Sequence, residues 1–275
     1  MEIFRKMSFA DSTGDAIPFY HEGKYHIFSL TSPPGTTVYP ERLRTTWSHS
    51  ISDDLVHWQE LPTALYPGEG DEPDASGVWT GSVIYGEGQY HAFYTGYCLT
   101  AEFQQTICHA TSEDGITWTK DIANPVITPM TELYEKLDWR DPYVFYNEED
   151  ENYWILISAR RLDMPVTRRG CIVLYRSKNL KDWTYYGPIY SPGHTNCPEC
   201  PEMYKMGGHW YLSYSRFSEF VNTIYRVSES PFGPWRKPKK DGIGGRRFYA
   251  AKSMQNDDGR RFYFGWAHDR AEPTP

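Results

Sequence analysis

The sequence predicts an all-β fold, a five-bladed β-propeller with four-stranded blades, and two recurring patterns predict it. The first is a hairpin in which a polar turn leads into an aromatic strand. It appears as His21-Glu-Gly-Lys-Tyr25, Gly86-Glu-Gly-Gln-Tyr90, Asn147-Glu-Glu-Asp-Glu-Asn-Tyr153, Met206-Gly-Gly-His-Trp210 and Asp258-Gly-Arg-Arg-Phe262, at intervals of 65, 63, 57 and 52 residues. The second is a Ser-led turn that closes on tryptophan: Ser52 to Trp58, Ser112 to Trp118, Ser177 to Trp183 and Ser228 to Trp235. One supersecondary unit repeated at such a period is the mark of a radial array of sheets, because a single unit cannot bury its own apolar faces.

Within each unit the elements follow from residue type. Ala16–Tyr20, Gly81–Tyr85, Tyr90–Tyr94 and Trp210–Tyr214 are short, β-branched or aromatic, and bounded by Gly, Asp or Asn, which makes them strands. Only Met130–Leu137 reads as a helical turn. The four closing tryptophans are expected to fill equivalent packing sites between blades rather than to touch a ligand. Past Phe262–His268 too little chain remains for two more strands, so Glu2–Phe9 is expected to join the last blade and close the ring, removing exposed strand edges. No linker composition divides residues 1–275, so a single propeller domain is expected, without a C-terminal β-sandwich.

Composition bounds the function. Aromatics make up 16% and charged residues 23%, which excludes disorder. A net charge of −8 argues against nucleic acid or an anionic membrane as partner. No apolar run approaches the roughly 20 residues needed to cross a bilayer, and Met1–Phe9 lacks an apolar signal-peptide region, so a cytoplasmic location is expected. Five cysteines, an odd and sparse set, suit reduced thiols. Cys197-x-x-Cys200 has zinc-like spacing but no second pair, so neither a metal nor a cofactor is expected. No phosphate-loop, dinucleotide or Ser-His-Asp signature appears.

What does suggest chemistry is the placing of acids where the innermost strands begin. Asp15 precedes the first strand of unit one, Asp141 opens unit three in Trp139-Arg-Asp-Pro142, and Glu199 opens unit four in Cys197-Pro-Glu-Cys-Pro-Glu202. Three inner strands, each bringing one carboxyl to one end of one channel, crowd like charges and raise at least one pKa. A protonated acid beside ionised partners is what cleavage of a glycosidic bond requires.

At these residues the chain resembles the fructofuranosidase family of glycoside hydrolases, family 32. The resemblance runs through Gly14–Phe28, Trp47–Trp58 with Leu61–Leu65, Trp79–Ser82, Arg140-Asp-Pro142, Glu199-Cys-Pro201 and Gly259–Trp266. The related arabinofuranosidase and xylosidase family 43 shares blades and acids but usually lacks the Arg before Asp and the Cys after Glu. What the resemblance implies is a retaining double displacement on a carbohydrate substrate such as sucrose or a short fructan. Asp15 would be the nucleophile, Glu199 the acid/base and Asp141 the transition-state stabiliser, with Arg140 holding Asp141 ionised and reaching a sugar hydroxyl. The chain departs from the family at the nucleophile: Ala10-Asp-Ser-Thr-Gly-Asp15 stands where a Trp-x-Asn-Asp-Pro-Asn-Gly motif is usual, which leaves Asp11 as second candidate. The alternatives are an inverting family 43-like enzyme, with Asp15 activating water, and a catalytically silent carbohydrate-binding propeller.

Further candidates lie near the expected channel mouth. Trp79 and Ser82 open unit two as an aromatic wall and a hydroxyl contact for a sugar; Trp47, His49 and Trp139 are placed similarly. Glu202 is a possible supporting carboxylate, and Tyr214–Phe217 and Arg246–Tyr249 are expected to border the pocket.

Overall fold

The computed structural model describes residues 13–36, 38–218, 220–245 and 248–267. The strand expected over Glu2–Phe9, the second-choice Asp11 and Arg246 lie outside them. Every described residue in regular structure is in a strand, apart from two 3-10 turns at Glu41–Leu43 and Val166–Arg168. The chain forms five sheets in sequence. The first holds β1 (Thr13–His21), β2 (Lys24–Thr31), β3 (Thr46–Ser52) and β4 (Trp58–Leu65). The second holds β5 (Gly77–Gly86), β6 (Gln89–Tyr97), β7 (Gln105–Ser112) and β8 (Thr119–Lys120). The third holds β9 (Tyr134–Asn147), β10 (Asn152–Arg161), β11 (Gly170–Ser177) and β12 (Thr184–Tyr190). The fourth has three strands, β13 (Glu199–Met206), β14 (His209–Arg216) and β15 (Asn222–Ser228), and the fifth two, β16 (Phe248–Gln255) and β17 (Arg261–Ala267).

Each sheet is an antiparallel meander whose first strand lies beside the first strand of the next, and β16 packs against both β13 and β1. The fold is therefore all-β and propeller-like with blades of up to four strands. Among the described residues it shows four blades and a two-stranded hairpin, where the repeat predicts five blades of four strands. The fourth blade stops at three because the segment after β15 carries Pro231, Pro234 and Pro238, which cannot donate to a ladder. Only the isolated bridges Val227–Arg236 and Ile224–Gly242 form there. The expected helical turn at Met130–Leu137 is a single turn, with the amides of Leu133 and Tyr134 donating to Met130 O at 2.9 Å each, and β9 begins at Tyr134.

The Ser-led closures fold locally for a reason visible in their residues. In the first, Ser52 Oγ accepts the amides of Asp54 and Leu55, and Asp54 Oδ1 accepts those of Val56 and His57. Leu55 takes a left-handed φ of 66° between them. The same arrangement recurs with Ser112, Asp114 and Gly115, and with Ser177, Asn179 and Leu180. Short polar side chains standing in for backbone partners make this turn cheap. The tryptophans it delivers pack across blades: Trp118 meets Phe28 of the first sheet edge-on at 5.8 Å, and Trp183 meets Phe93 of the second at 5.3 Å.

The core is divided among the interfaces between sheets. Phe28, Val78 and Tyr94 are buried between the first and second sheets, Phe93, Ile157 and Trp139 between the second and third, and Leu156, Leu212 and Met203 between the third and fourth. Each such fully buried apolar side chain contributes about 1.5–3 kcal/mol. The interface reaching the fifth sheet is much smaller, centred on Cys200, Tyr249 and Ala250.

Candidate functional site

All five inner strands carry a two-against-one bulge at the same phase. Residues 14–15 of β1, 79–80 of β5, 141–142 of β9, 200–201 of β13 and 250–251 of β16 each oppose a single residue on the neighbouring strand. Asp141, Cys200 and Ala250, the first bulge residues of the last three strands, have φ of 58°, 49° and 50°. A bulge re-aims the side chains around it. Here Asp15 is the second bulge residue of its strand, Asp141 the first of its own, and Glu199 stands immediately before the next, so the three acids point into one end of the channel.

Contacts tie the three together. Cys200 donates its amide to Asp141 Oδ2 at 2.9 Å and its thiol to Asp15 Oδ2 at 3.4 Å. Burial, reinforced by the charges of Asp15 and Asp141, pushes that thiol well above its ordinary pKa, so it stays a donor. Asp15 Oδ1 accepts the indole N–H of Trp266 at 2.8 Å. Arg140 Nη2 donates to Glu199 Oε1 at 2.8 Å, whereas its Nε lies 3.8 Å from Asp141 Oδ2. The guanidinium is thus nearer to Glu199 than to Asp141, the carboxylate expected for it, and it is further held by Asp138 and by Gln105 Oε1 at 3.3 Å. Glu199 Oε2 accepts the hydroxyl of Tyr249.

These surroundings separate the acids electrostatically. Burial pushes the Glu199 carboxyl up to about 7, Arg140 opposes that shift, and the charges of Asp141 and Asp15 add to it. Burial also raises Asp141, with Arg140 pulling down and Asp15 pushing up. A carboxyl poised near neutrality beside one held by an indole and a thiol is an arrangement able to give and take a proton next to an anionic group.

The remaining candidates divide. Trp79 is half-buried, stacked on Tyr97 at 4.0 Å, with its indole N–H on Leu43 O at 3.1 Å. Ser82 faces structure: its hydroxyl donates to Pro142 O at 3.0 Å and accepts the Val144 amide at 2.8 Å, pinning the segment that follows Asp141 to the second sheet. Trp47 and His49, placed at the channel by sequence, are both 0% exposed and have no face for a ligand. Trp47 packs on Phe28 and Tyr94 and donates to Trp79 O at 2.9 Å. His49 stacks on Phe28 at 4.1 Å and pairs with His26 at 3.0 Å, and burial lowers its pKa to about 3, keeping it neutral. Both lie on β3, two strands out from the channel. Trp139 is likewise fully buried, against Tyr134 and Tyr175.

Glu202 is fully buried and accepts the amide and hydroxyl of Ser253 at 3.1 and 2.6 Å, a link between the fourth and fifth sheets. All five cysteines are free, and Cys197 is buried beside Arg140. Three residues that sequence reasoning left without a role, Trp266, Tyr249 and Lys252, stand at or beneath the acids. Their signal was faint: Trp266 closes the last stretch of family resemblance and Tyr249 the last border segment, while nothing marks Lys252.

Residues 16–274 match the glycosyl hydrolases family 32 N-terminal domain. The chain is 30% identical over 281 residues to raffinose invertase of Escherichia coli, covering 93% of this chain and 54% of that protein. It is 31% identical over 277 residues to levanase of Bacillus subtilis, covering 90% and 38% respectively. The structure of sucrose-6-phosphate hydrolase from Lactobacillus gasseri superposes with a TM-score of 0.78 at 24% identity, covering 95% of this chain and 55% of that one, a likeness of fold. The chain spans about half the length of the first of these relatives, and the match of residues 16–274, nearly all of it, makes it a member of glycosyl hydrolase family 32.

Proposed function

We propose that the protein hydrolyses terminal β-fructofuranosides, such as sucrose and short fructans, by a retaining double displacement. The observation that carries this reading is the meeting of Asp15, Asp141 and Glu199 around one bulge phase, with Glu199 pushed up to about 7 between Arg140 and Tyr249. Asp15 attacks the anomeric carbon while Glu199 gives its proton to the leaving oxygen. Glu199 then takes a proton from water, whose oxygen displaces Asp15 and frees the sugar. Asp141 holds sugar hydroxyls, and Trp79, braced on Tyr97, forms an aromatic wall. Membership of family 32 and the names of its relatives, an invertase and a levanase, support fructosides over arabinosides or xylosides.

We further infer that the hairpin β16–β17 is the inner half of a fifth blade. Its bulge in phase with the other four and its seat between β13 and β1 support that count.

The test is a screen of the purified protein against sucrose, inulin-type oligosaccharides, and nitrophenyl arabinofuranoside and xyloside, with Glu199→Gln beside it. Fructose release that falls by at least about 100-fold on sucrose in the variant is expected. Cleavage confined to the nitrophenyl pentosides, or fructose release unchanged in Glu199→Gln, overturns the reading.

A further inference from the structure

Lys252 is 3% exposed, sits on β16 immediately after the fifth bulge, and has no part in the chemistry described above. A buried ammonium loses its hydration and is retained only where something offsets that cost. The charge acts on the buried Glu202 and Cys200 of the neighbouring fourth sheet, but its hydrogen-bond acceptors lie on neither its own sheet nor a neighbour. Lys252 Nζ donates to Thr80 Oγ1 at 2.6 Å and to Gly81 O at 2.8 Å, on the bulge of the second sheet. Because β1 lies between β16 and β5, the side chain crosses the channel beneath the acids. The positions equivalent to Lys252 on the two strands it passes or meets are Ala16 and Gly81, the smallest residues in that ring; on the others they are Tyr143 and Glu202.

From Thr80 the contacts lead to Asp141. Thr95 Oγ1 donates to Thr80 O at 3.1 Å and accepts the Asp141 amide at 2.8 Å. That amide belongs to a non-glycine residue at φ 58°, a conformation that persists only where its surroundings hold it.

We propose that Lys252 is a positioning residue for the candidate site, a strut across the channel that fixes the Thr80–Thr95 pair and thereby the Asp141 bulge, and that supplies positive charge beneath the carboxylates. Among the described residues, the groups facing Asp141 are Arg140 on its own strand, Asp15 from β1, Cys197 just before β13, Glu199 and Cys200 from β13, the neutral Thr80 and Thr95 from β5 and β6, and Lys252 from β16. Lys252 is the one cation among them that does not also pair with Glu199, and it lowers the pKa of Asp141 against the burial that raises it.

The proposal rests on the hydrolytic reading, and the experiment separates the two. Lys252→Met and Thr80→Val are compared with the wild type for kcat, KM and the pH profile of kcat/KM on sucrose, for Tm, and for the Asp141 carboxyl titration by carbon NMR. Both variants are expected to lose kcat by about tenfold or more with a much smaller change in KM. Lys252→Met alone is expected to move the acid limb, and the Asp141 titration, upward by roughly half a pH unit. Wild-type kcat with an unmoved acid limb in Lys252→Met, or a fall in Tm alone, overturns the proposal. If Lys252→Met does not fold, wild-type kcat in Thr80→Val overturns it. A wild type that releases no fructose sinks the hydrolytic reading instead, and the NMR titration then decides the role of Lys252 by itself.

Discussion

At the scale of single residues, the site works by giving three similar carboxyls dissimilar neighbours. In the proposed reaction Glu199 must be protonated to act as an acid, so with its carboxyl pushed up to about 7 the value of kcat/KM should fall as pH rises through that point. The hydroxyl of Tyr249 donates to Glu199 and favours its ionised form. In Tyr249→Phe the Glu199 pKa should rise and the alkaline limb move to higher pH by roughly half a unit; a limb that stays in place or moves down contradicts the assignment of Glu199. Asp141, Arg140 and Glu199 were legible in the sequence because each lies in a short, distinctive string, although Arg140 and Asp141 stand in the middle of β9 and only Glu199 begins its strand. Trp266 and Tyr249 were not, since the contacts that give them meaning reach 251 residues to Asp15 and 50 residues to Glu199. Trp47 and His49 were misplaced for a related reason: proximity to a motif does not say on which strand of the blade a residue will stand.

The hairpins and the Ser-led turns could be read directly because the residues that form them also satisfy them, within a few positions of one another. The bulges could not, since a bulge is a property of two strands and leaves no composition of its own. The repeat also places buried histidines at matching positions: His26 with His49 in the first sheet, His91 with His109 in the second, at 3.0 and 2.9 Å. Burial lowers His26 and His91 to about 4 and His49 to about 3. These values lie below the roughly 6.5 of an unfolded chain, so the neutral rings stabilise the fold fully above that pH and lose their contribution as pH falls toward 4. Tm should drop over that window, and the drop should be shallower in the His26→Gln, His49→Gln double variant, which keeps polar groups that do not titrate. Equal slopes in a pH series of thermal melts would refute this account. Glu199, Glu202 and Asp141, raised by burial, act in the opposite direction and are common to both proteins.

For the whole molecule, the unequal interfaces between sheets set an order of stability. Strands β10 and β11 carry the fully buried run Ile155–Ile157 and Ile172–Leu174, whereas the fifth sheet rests on a small apolar cluster and on polar links to the first, such as Tyr20 to Asp257 at 2.8 Å and Asn256 to Tyr25 at 3.0 Å. Native-state hydrogen exchange should therefore protect β10 and β11 most and the β16–β17 hairpin least. Uniform protection across the five sheets would show that the ring opens only as a whole. Because Trp266 and Tyr249 belong to that hairpin, the part of the molecule expected to loosen first is also the part that holds Asp15 and Glu199.

The five inner strands share one direction. All five run away from the acids, so the chain returns to the acid end at every passage from a second strand to a third and from one blade to the next. The walls of the channel hold the three acids, while segments such as 38–45, 66–76, 162–169 and 191–198 lie at that end without belonging to any sheet. Under the proposed function, the three acids and the borders that a sugar passes on entering then belong to different stretches of chain.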